Sequence, residues 1–591
     1  MNKKVIVLGG GVAGMSAAHE LIERNFDVEV YEFKSIAGGK ARSIDVLHPG
    51  PPPWGSGNIL KSTEASNNSL PGQHGFRYFP GFYKHILDTL KRIPYGKNNK
   101  CVFDNLIPAT EIGFTHFGKA PIILNTKVNG SLKELKEEYF TTFGSEIGIP
   151  YEESRFFAKR IWQLMTSCEK RRLMEYEQLS WWEFLEADSK SEEFKKIFVH
   201  GLPRSLVATR ADVASTHTFG NIFLQLLFNI LTPSIDVDRL LNGPTNDVWI
   251  NPWLKYLMDS GVDYHLNAEV IKINCSNNTI TSATIKEDGK TFDIKGDYYI
   301  AAMPVEVIAE LTTEELIKAD PMFNGIKKLA KNVVWMNGMQ IYLRRNVKFV
   351  HGHLNHLDSN WALTSLFPRQ FWSDDFDFSE YGNGNVKGII SVVISDWNAK
   401  GLNEKKAIEC TKDEIFEEVW KELKLSMIEN GNEILKDEDV HSYYLDEDII
   451  FENGPNDPNP AKKKNTEPLL VNLVNTWDLR PTAHTQIPNF FLASDYVRTN
   501  TDLATMEAAN EAARRAVNSI RDYAGSNEPQ CRIWKFNEPE FLAFWQEQDH
   551  KRFAKGLPWK KNLSPLIFLS HRFWHHFFRF VFRRIRIKFH K

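Results

Sequence analysis

The 591-residue sequence predicts an α/β protein, in which a parallel β-sheet packed with helices is interrupted by an inserted domain of mixed sheet and helices. Three observations predict this fold. A strand-like run, a glycine-rich turn and a helix-like stretch open the chain. A second strand-and-helix pair begins at residue 490, and long segments of mixed helical and strand-like pattern separate the two.

The opening element reads as a strand over residues 4–8, a glycine turn, a helix over 15–24 and a strand over 28–31. The turn has GxGxxG spacing, which serves a tight turn, a close approach of the backbone to a pyrophosphate and close helix–strand packing. The helix N-terminus then presents unpaired N–H groups to phosphates. The residues predicted to line this cradle are Gly9, Gly11, Val12, Ala13 and Gly14.

Glu32 follows the second strand, at the position where a carboxylate accepts hydrogen bonds from a ribose. An acidic residue at this point disfavours a 2′-phosphate. The opening stretch therefore predicts a dinucleotide site and argues against NADP.

The stretch FKSIAGGKARS follows Glu32 at the spacing of a second fingerprint, with candidate cofactor-binding residues Gly38, Gly39, Lys40 and Arg42. On these motifs the chain resembles the FAD-dependent amine oxidase and phytoene desaturase superfamily. Many relatives have arginine where Lys40 stands, and the GGK form resembles the plant-type carotenoid desaturases. The resemblance implies FAD as the cofactor and a Rossmann-type, glutathione-reductase-like FAD-binding domain.

Two later stretches also resemble this superfamily. GPTNDVWINPWLKYLMDSGVDYHLNAEVIKI resembles its helix and strand, which implies that Val270 lies beside the adenine. FFLASDYVRTNTDLATMEAANEAARRAV resembles its closing motif, in which Asp495 binds the ribityl and pyrophosphate region. A helix beginning at Thr505 and Met506 is then expected to direct its N-terminal amides at the flavin. Ser494 departs from the usual glycine.

The segment GQHGFRYFPGFYKHI resembles the part of the superfamily that passes under the flavin. It makes His74, Phe76 and Arg77 candidate neighbours of the flavin ring, and we assign no catalytic residue. His351, His353 and His356 lie in HGHLNHLDS without companion cysteine or carboxylate spacing, so we expect solvent-loop histidines and no metal site.

The resemblance and the periodicity together predict a domain division. Residues 131–241 have mainly helical periodicity with many large apolar residues, which suits a helix core and also a hydrophobic channel. The predicted parts are a discontinuous FAD-binding domain (1–130, 242–300 and 471–525), a helical insertion on the substrate or membrane side (131–241), a substrate domain with a sheet (301–470), and a basic aromatic tail (526–591).

The resemblance implies dehydrogenation of a hydrophobic polyene or isoprenoid lipid, with hydride transfer to flavin N5. A flavin-dependent amine oxidase, a redox-neutral lipid double-bond isomerase and a non-catalytic flavin-binding membrane scaffold remain alternatives. Because the sequence has no second dinucleotide motif, quinone or oxygen is the expected reoxidant.

Charge is divided unevenly along the chain. From residue 550 onwards there are twelve lysines or arginines and no acidic residue, which leaves 60 basic against 75 acidic residues in the rest. HRFWHHFFRFVFRRIRIKFHK, at 571–591, reads as a helix with a basic stripe and a wide aromatic face, as expected for binding to an anionic membrane surface. Packing of this helix on the acidic body of the protein remains an alternative. The many bulky apolar residues on one face argue against nucleic-acid binding.

Hydropathy indicates where the protein acts. No run of 18 apolar residues occurs, and five scattered cysteines suit a reducing compartment. We expect a cytoplasmic protein that is peripheral on the membrane.

Overall fold

The computed structural model describes residues 2–54, 69–97, 99–126, 149–201, 203–204, 209–231, 236–373, 376, 381–561 and 587–588. These residues form a parallel sheet, an eight-stranded sheet and a group of helices. The remaining short elements connect these three parts.

The parallel sheet has five strands, in the order Phe490–Leu492, Tyr298–Ala301, Lys4–Leu8, Asp27–Tyr31 and Asp263–His265. Its central strand is apolar and fully buried from Val5 to Leu8, as expected for a parallel strand covered on both faces. The predicted strand at 4–8 is confirmed, and the next strand begins one residue earlier than predicted.

The helix after the glycine turn spans Val12–Ile22, three residues earlier than predicted. The prediction treated Gly14 as part of the turn, whereas the structure places it in the first helical turn. We call Val12–Ile22 the glycine-loop helix. Beside it lies Met506–Tyr523, the closing helix, which begins where the sequence predicted. Asn510 Nδ2 of the closing helix donates to Ser16 Oγ at 2.8 Å, and buried alanines line the closing helix at this contact.

An antiparallel three-stranded sheet follows the edge of the parallel sheet and comprises Ala268–Ser276, Thr279–Glu287 and Lys290–Ile294. The sequence predicted a single strand within GVDYHLNAEVIKI, at 261–273. The structure divides it at Leu266 and Asn267, because Asn267 takes a left-handed conformation with φ of 58°.

The eight-stranded sheet is mixed, in the order Val440–Leu445, Asn337–Leu343, Gly388–Ile394, Thr364–Leu366, Gly352–His356, Glu111–Thr115, Ile122–Asn125 and Ile587–Lys588. Helix Lys412–Ser426 packs against it. Glu111–Thr115 and Ile122–Asn125 join this sheet although the sequence grouped them with the FAD-binding domain. Their partner strand lies far along the chain, so local sequence carries no signal for the pairing. The overall domain boundaries remain a prediction.

The group of helices contains Tyr151–Thr166, Glu169–Met174, Trp181–Phe184, Glu192–Phe194, the π-helix Lys195–Gly201, and Thr216–Leu231. Helix Ala543–Phe553, which we call the C-terminal helix, packs against this group. Arg171 and Asp549 form a buried ion pair at the contact, with Nε 2.9 Å from Oδ2.

Other short elements complete the body. They are Ser43–Val46 with Leu70–Gln73, His85–Arg92, Leu106–Pro108 with Arg239–Leu241, the π-helix Asn246–Ile250, Asn251–Asp259, Val305–Leu311, Glu314–Ala319, Phe323–Leu329, Val333–Val334 with Leu469–Leu470, Ile428–Glu429 with Asn432–Glu433, and Ile449–Phe451 with Lys463–Asn465.

Most of the predicted membrane helix lies outside the described residues. Ile587 and Lys588, which the prediction placed in that helix, instead form a short strand paired with Leu124 and Ile123. Within the described ranges, every helix is too short or too polar to cross a bilayer.

His353 and His356 of HGHLNHLDS are not in a solvent loop, so that expectation was wrong for these two, whereas His351 precedes the strand and is half-buried. Gly352–His356 is a strand inside the eight-stranded sheet. His356 is buried, with Nδ1 3.0 Å from Thr115 Oγ1 and Nε2 2.8 Å from Ser365 Oγ. Polar partners inside the sheet satisfy this imidazole, which is why a polar-looking stretch forms a buried strand.

Candidate active site

Two glycine loops meet at the carboxyl end of the parallel sheet. Gly9 has φ of 111°, and a Cβ there would lie 2.9 Å from Ala302 O. A Cβ on Gly14 would lie 1.9 Å from Gly9 O, so the helix reaches the strand only because both residues are glycine. Gly11 forms a bridge with Gly38 of the second loop. The two loops therefore form one backbone-lined cradle.

The glycine-loop helix directs its N-terminus at this cradle. Gly11 is its N-cap and supplies no side-chain cap, and the first turn, with Val12 and Ala13, contains no acidic residue. Its free N–H groups and the positive end of the helix dipole are therefore available to a phosphate.

Glu32 lies at the opposite side of the cradle and is 4% exposed. Its Oε2 accepts from Gly10 N at 2.8 Å, and its Oε1 accepts from Lys34 N at 2.9 Å. Burial raises the pKa of this carboxyl against the opposing effect of the two donors. Tyr264, which the sequence analysis missed, donates its hydroxyl hydrogen to Gly10 O at 2.7 Å and fixes the same loop.

The second glycine loop requires its glycines, since φ is 101° at Gly38 and 55° at Gly39. Lys40 Nζ lies 3.3 Å from Glu306 Oε1 and donates to Pro468 O at 2.5 Å. It belongs to the sequence-predicted set, and its ammonium borders the cradle.

Arg42 enters a buried network of charges. Its guanidinium lies 2.7 Å from Asp448 Oδ2 and donates to Gly39 O at 2.9 Å. His74 Nδ1 lies 2.7 Å from Asp446 Oδ2 and 3.3 Å from Asp448 Oδ2. Burial opposes a charge on His74, but the two carboxylates outweigh it and raise the pKa of the imidazole.

The network has the donor spacing of a metal site, because ligand atoms of His74, Asp446 and Asp448 all lie within 4.8 Å of one another. Asp448 is already paired with Arg42 and with Lys34, whose Nζ lies 3.1 Å from Oδ1. These cations neutralise the carboxylates, so the network is satisfied as an ion-pair cluster. Neither aspartate was predicted from the sequence.

The closing motif carries the other half of the site. Asp495 follows strand Phe490–Leu492, and Arg480 donates to its carbonyl at 2.8 Å. Ser494 has φ of 141°, a conformation that suits glycine, so the departure from the superfamily pattern leaves a strained residue. Thr505 Oγ1 accepts from Ala508 N at 3.2 Å and caps the closing helix directly before Met506.

Comparison with known proteins identifies the family. Residues 127–521 match the family described as flavin containing amine oxidoreductase, and residues 7–93 match the NAD(P)-binding Rossmann-like domain. The chain belongs to the flavin-containing amine oxidoreductase family. The family and the Rossmann-like domain together imply FAD as its cofactor, as the sequence predicted.

Individual relatives are distant or match short segments. Over 82 residues the chain is 37% identical to carotenoid phi-ring synthase from Chlorobaculum tepidum, which covers 14% of this chain and 10% of that protein. Over 557 residues it is 23% identical to zeta-carotene desaturase from Solanum lycopersicum, which covers 87% of this chain and 80% of that enzyme.

A solved structure supports the fold. Cyclohexylamine oxidase from Brevibacterium oxydans is similar to this flavin-containing oxidoreductase, with a TM-score of 0.56 at 12% identity over 89% of this chain and 100% of that one. The predicted α/β fold with a Rossmann-type domain is therefore confirmed.

The residues present fit FAD. The strongest evidence is Arg77, whose guanidinium donates to the carbonyls of Gly75, Lys40 and Ala41. Among the described residues no carboxylate forms an ion pair with it. Burial and the neighbouring Arg42 lower its pKa to about 10. Arg77 is a half-buried cation without an ion-pair partner among the described residues, and a cofactor that carries phosphates would supply negative charge beside it.

Two further predicted residues, Phe76 and Val270, contact other parts of the protein. Phe76 is half-buried, with its ring centroid 5.3 Å from that of Tyr78. Val270 pairs with Ile285 in the three-stranded sheet and packs against the core of the parallel sheet. Their contacts with FAD remain predictions, as do those of the other sequence-predicted residues.

Proposed function

We propose that this FAD-dependent oxidoreductase dehydrogenates a hydrophobic polyene or isoprenoid lipid. The observation that carries the proposal is the similarity to zeta-carotene desaturase, which extends over 87% of the chain. The short match to carotenoid phi-ring synthase is a second similarity to an enzyme named for a carotenoid.

The aromatic interior of the group of helices supports an apolar substrate. Phe157 stacks on Phe198 with ring centroids 4.0 Å apart, and Trp181 meets Phe219 edge to face at 4.6 Å. Leu503 packs against this interior and also against the core of the parallel sheet. The aromatic interior therefore borders the loop that leads into the closing helix.

When bound, FAD supplies a hydride acceptor at its N5 atom. The residues of the chain would position the cofactor and supply the charges around it. The glycine cradle and the N-terminus of the glycine-loop helix would hold its phosphates, and Glu32 would hold its ribose. Arg77 and the N-terminus of the closing helix, capped by Thr505, would stabilise the negative charge that develops on the flavin when it is reduced.

A flavin-dependent amine oxidase is the second candidate, and the description of the matched family favours it. A redox-neutral lipid isomerase would use the same cofactor site. A non-catalytic membrane scaffold would not need so complete a cofactor cradle.

Anaerobic reduction of the bound flavin separates these candidates. We expect phytoene-like isoprenoids to bleach the flavin absorbance while long-chain amines leave it oxidised. Bleaching by amines alone would establish the amine oxidase. A change of double-bond geometry without net bleaching would indicate the isomerase, and no response to any ligand would favour the scaffold.

The proposed partners are an anionic membrane surface, bound through the tail, and quinone or oxygen as the electron acceptor. No nucleic acid is expected to bind. Deleting residues 564–591 should leave FAD bound and abolish sedimentation with anionic liposomes. Unchanged sedimentation of the truncated protein would contradict the membrane proposal.

A further inference from the structure

A surface cavity lies between the closing helix and the loops on either side of strand Phe490–Leu492. Its volume is about 430 Å³, within the range of cavities that bind small molecules. Arg515 and Ser519 of the closing helix line this cavity, and so does Arg498 of the loop that follows the strand. The two arginine side chains are 33% and 37% exposed, so a ligand from solvent can reach both of them.

The cavity is separate from the flavin site. Ala483, which lines it, accepts from Leu492 N at 2.8 Å, on the side of the edge strand that faces away from Tyr298–Ala301. Arg515 lies about 15 Å along the closing helix from Thr505, the end that is expected to face the flavin. No residue of the candidate active site lines the cavity. A ligand bound here would therefore occupy a second site.

Arg515 is held in place by a buried carboxylate. Its Nε and Nη2 both donate to Glu511 Oε1, at 2.9 and 2.6 Å. Glu511 also accepts from the backbone N–H and the side-chain amide of Asn500, which fixes the carboxylate. The guanidinium plane is thus set before any ligand binds. Its Nη1 has no hydrogen-bond acceptor among the described residues and remains available to a ligand.

Arg498 supplies a positive charge that the protein compensates weakly. Its guanidinium lies over the Trp477 ring, 4.2 Å from the centroid, and its Nη2 donates to Asp478 O at 3.0 Å. The Asp478 carboxylate is 3.9 Å away and almost fully exposed, so solvent screens this pair. Stacking on the indole orients the guanidinium and leaves most of its charge for a ligand.

The cavity offers mainly hydrogen-bond donors. Its lining among the described residues contains no carboxylate. The hydroxyl hydrogens of Thr482 and Ser519 are already donated, to His484 O at 2.8 Å and Arg515 O at 3.1 Å. The exposed His484 ring adds a further nitrogen beside the two guanidinium groups. This arrangement suits an anion.

The geometry distinguishes between two kinds of anion. One guanidinium group satisfies both oxygens of a carboxylate, whereas a phosphate monoester has three acceptor oxygens and up to two negative charges, and so can bind two arginines together. Ala483 and Ile533 add apolar surface to the lining, and the volume leaves room for an organic group. We propose that the cavity binds a phosphate monoester, whose phosphate lies between Arg498 and Arg515.

The test is calorimetric titration of the full chain with its FAD. The probes are phenyl phosphate, benzoate as the matching carboxylate, and a short-chain phosphatidate that represents a lipid headgroup. The variants are Arg498→Gln and Arg515→Lys, of which the second keeps a cation opposite Glu511. Arg155→Gln is the control, because Arg155 is an exposed arginine paired with an exposed Glu152 on another helix. Flavin absorbance shows that each variant is folded.

We expect saturable binding of phenyl phosphate, much weaker binding of benzoate, and a loss of about tenfold or more in Arg498→Gln. Arg515→Lys should also weaken binding, and Arg155→Gln should preserve it. No saturable binding, equal binding of benzoate, or an equal loss in Arg155→Gln overturns the proposal. If phosphatidate competes more strongly than phenyl phosphate, the phosphate belongs to a lipid; weaker competition supports a soluble ester. Because no turnover is measured, failure leaves the proposed function intact.

Discussion

The ion pair between Arg171 and Asp549 provides a test of how the C-terminal helix is held. Arg171 is 0% exposed and Asp549 is 4% exposed. Arg171 Nε lies 2.9 Å from Oδ2 and 3.0 Å from Oδ1, and Asp549 also accepts from Cys168 N at 2.9 Å. In the Arg171→Met variant, the buried Asp549 carboxylate keeps only the hydrogen bond from Cys168 N among the described contacts. The expected cost is about 3–5 kcal/mol, because a buried charge loses its partner.

An exposed pair of the same chemistry supplies the control. Lys255 and Asp259 are 2.8 Å apart on one helix face, with side chains 75% and 63% exposed. Lys255→Met should cost only about 0.3–0.5 kcal/mol, because solvent screens the pair. The double variant Arg171→Met/Asp549→Leu should recover most of the loss, since it removes both buried charges.

Limited proteolysis of the native protein measures the opening of the C-terminal helix. When opening and closing are fast relative to cleavage, the cleavage rate follows the open population. A loss of about 3 kcal/mol then accelerates cleavage near residues 543–553 roughly a hundredfold. If Arg171→Met accelerates cleavage no more than Lys255→Met, burial does not control this contact and the reasoning fails.

Three further predictions follow from other parts of the fold. The protein should purify yellow with one non-covalent FAD. Gly14→Ala should release the FAD, because the alanine Cβ would lie 1.9 Å from Gly9 O. Colourless wild-type protein, or a variant whose absorbance shows full flavin content, would contradict this. Thr505→Val and Thr411→Val should each cost about 1 kcal/mol in chemical unfolding as lost N-caps. Only Thr505→Val should alter the flavin reduction potential. An equal shift of the potential in both variants would contradict the proposed effect of the closing helix on the flavin. Burial raises the pKa of Glu422 to about 8, so the folded state retains a proton that the unfolded state loses above its ordinary pKa. Stability should therefore fall by up to about 1.4 kcal/mol per pH unit between roughly pH 4.5 and 8, and urea titrations should show this slope flattened in Glu422→Gln; equal slopes would refute the assignment.

The sequence predicted those parts of the candidate site whose residues lie together in one short stretch of the chain. The glycine spacing around Gly9 and Gly14 specifies a turn, and Glu32 follows at a fixed distance along the same strand–helix–strand unit. The closing helix was predicted from the resemblance of residues 490–517 to the closing motif of the superfamily, and the structure shows that Thr505 caps it.

The missed parts come from distant segments. Asp448 meets Arg42 across 406 residues, and Tyr264 reaches Gly10 across 254. Neither has a local pattern that distinguishes it from a surface residue. The burial of His356 could not be predicted for a related reason, because its partners lie on other strands of the sheet and only the fold brings them together.

The neighbouring positions of Lys4–Leu8, Tyr298–Ala301 and Phe490–Leu492 in the parallel sheet affect how the protein is made. The ribosome releases the first strand long before the strand that forms the edge of the sheet. At about 5–20 residues per second, the N-terminal strand waits roughly 25–100 s for that edge strand. During this interval the incomplete sheet lacks its edge strand and the closing helix, so we expect its exposed apolar surface to bind chaperones. Because the closing motif is the last part of the predicted FAD site to be synthesised, we expect FAD to complete its binding only near the end of translation.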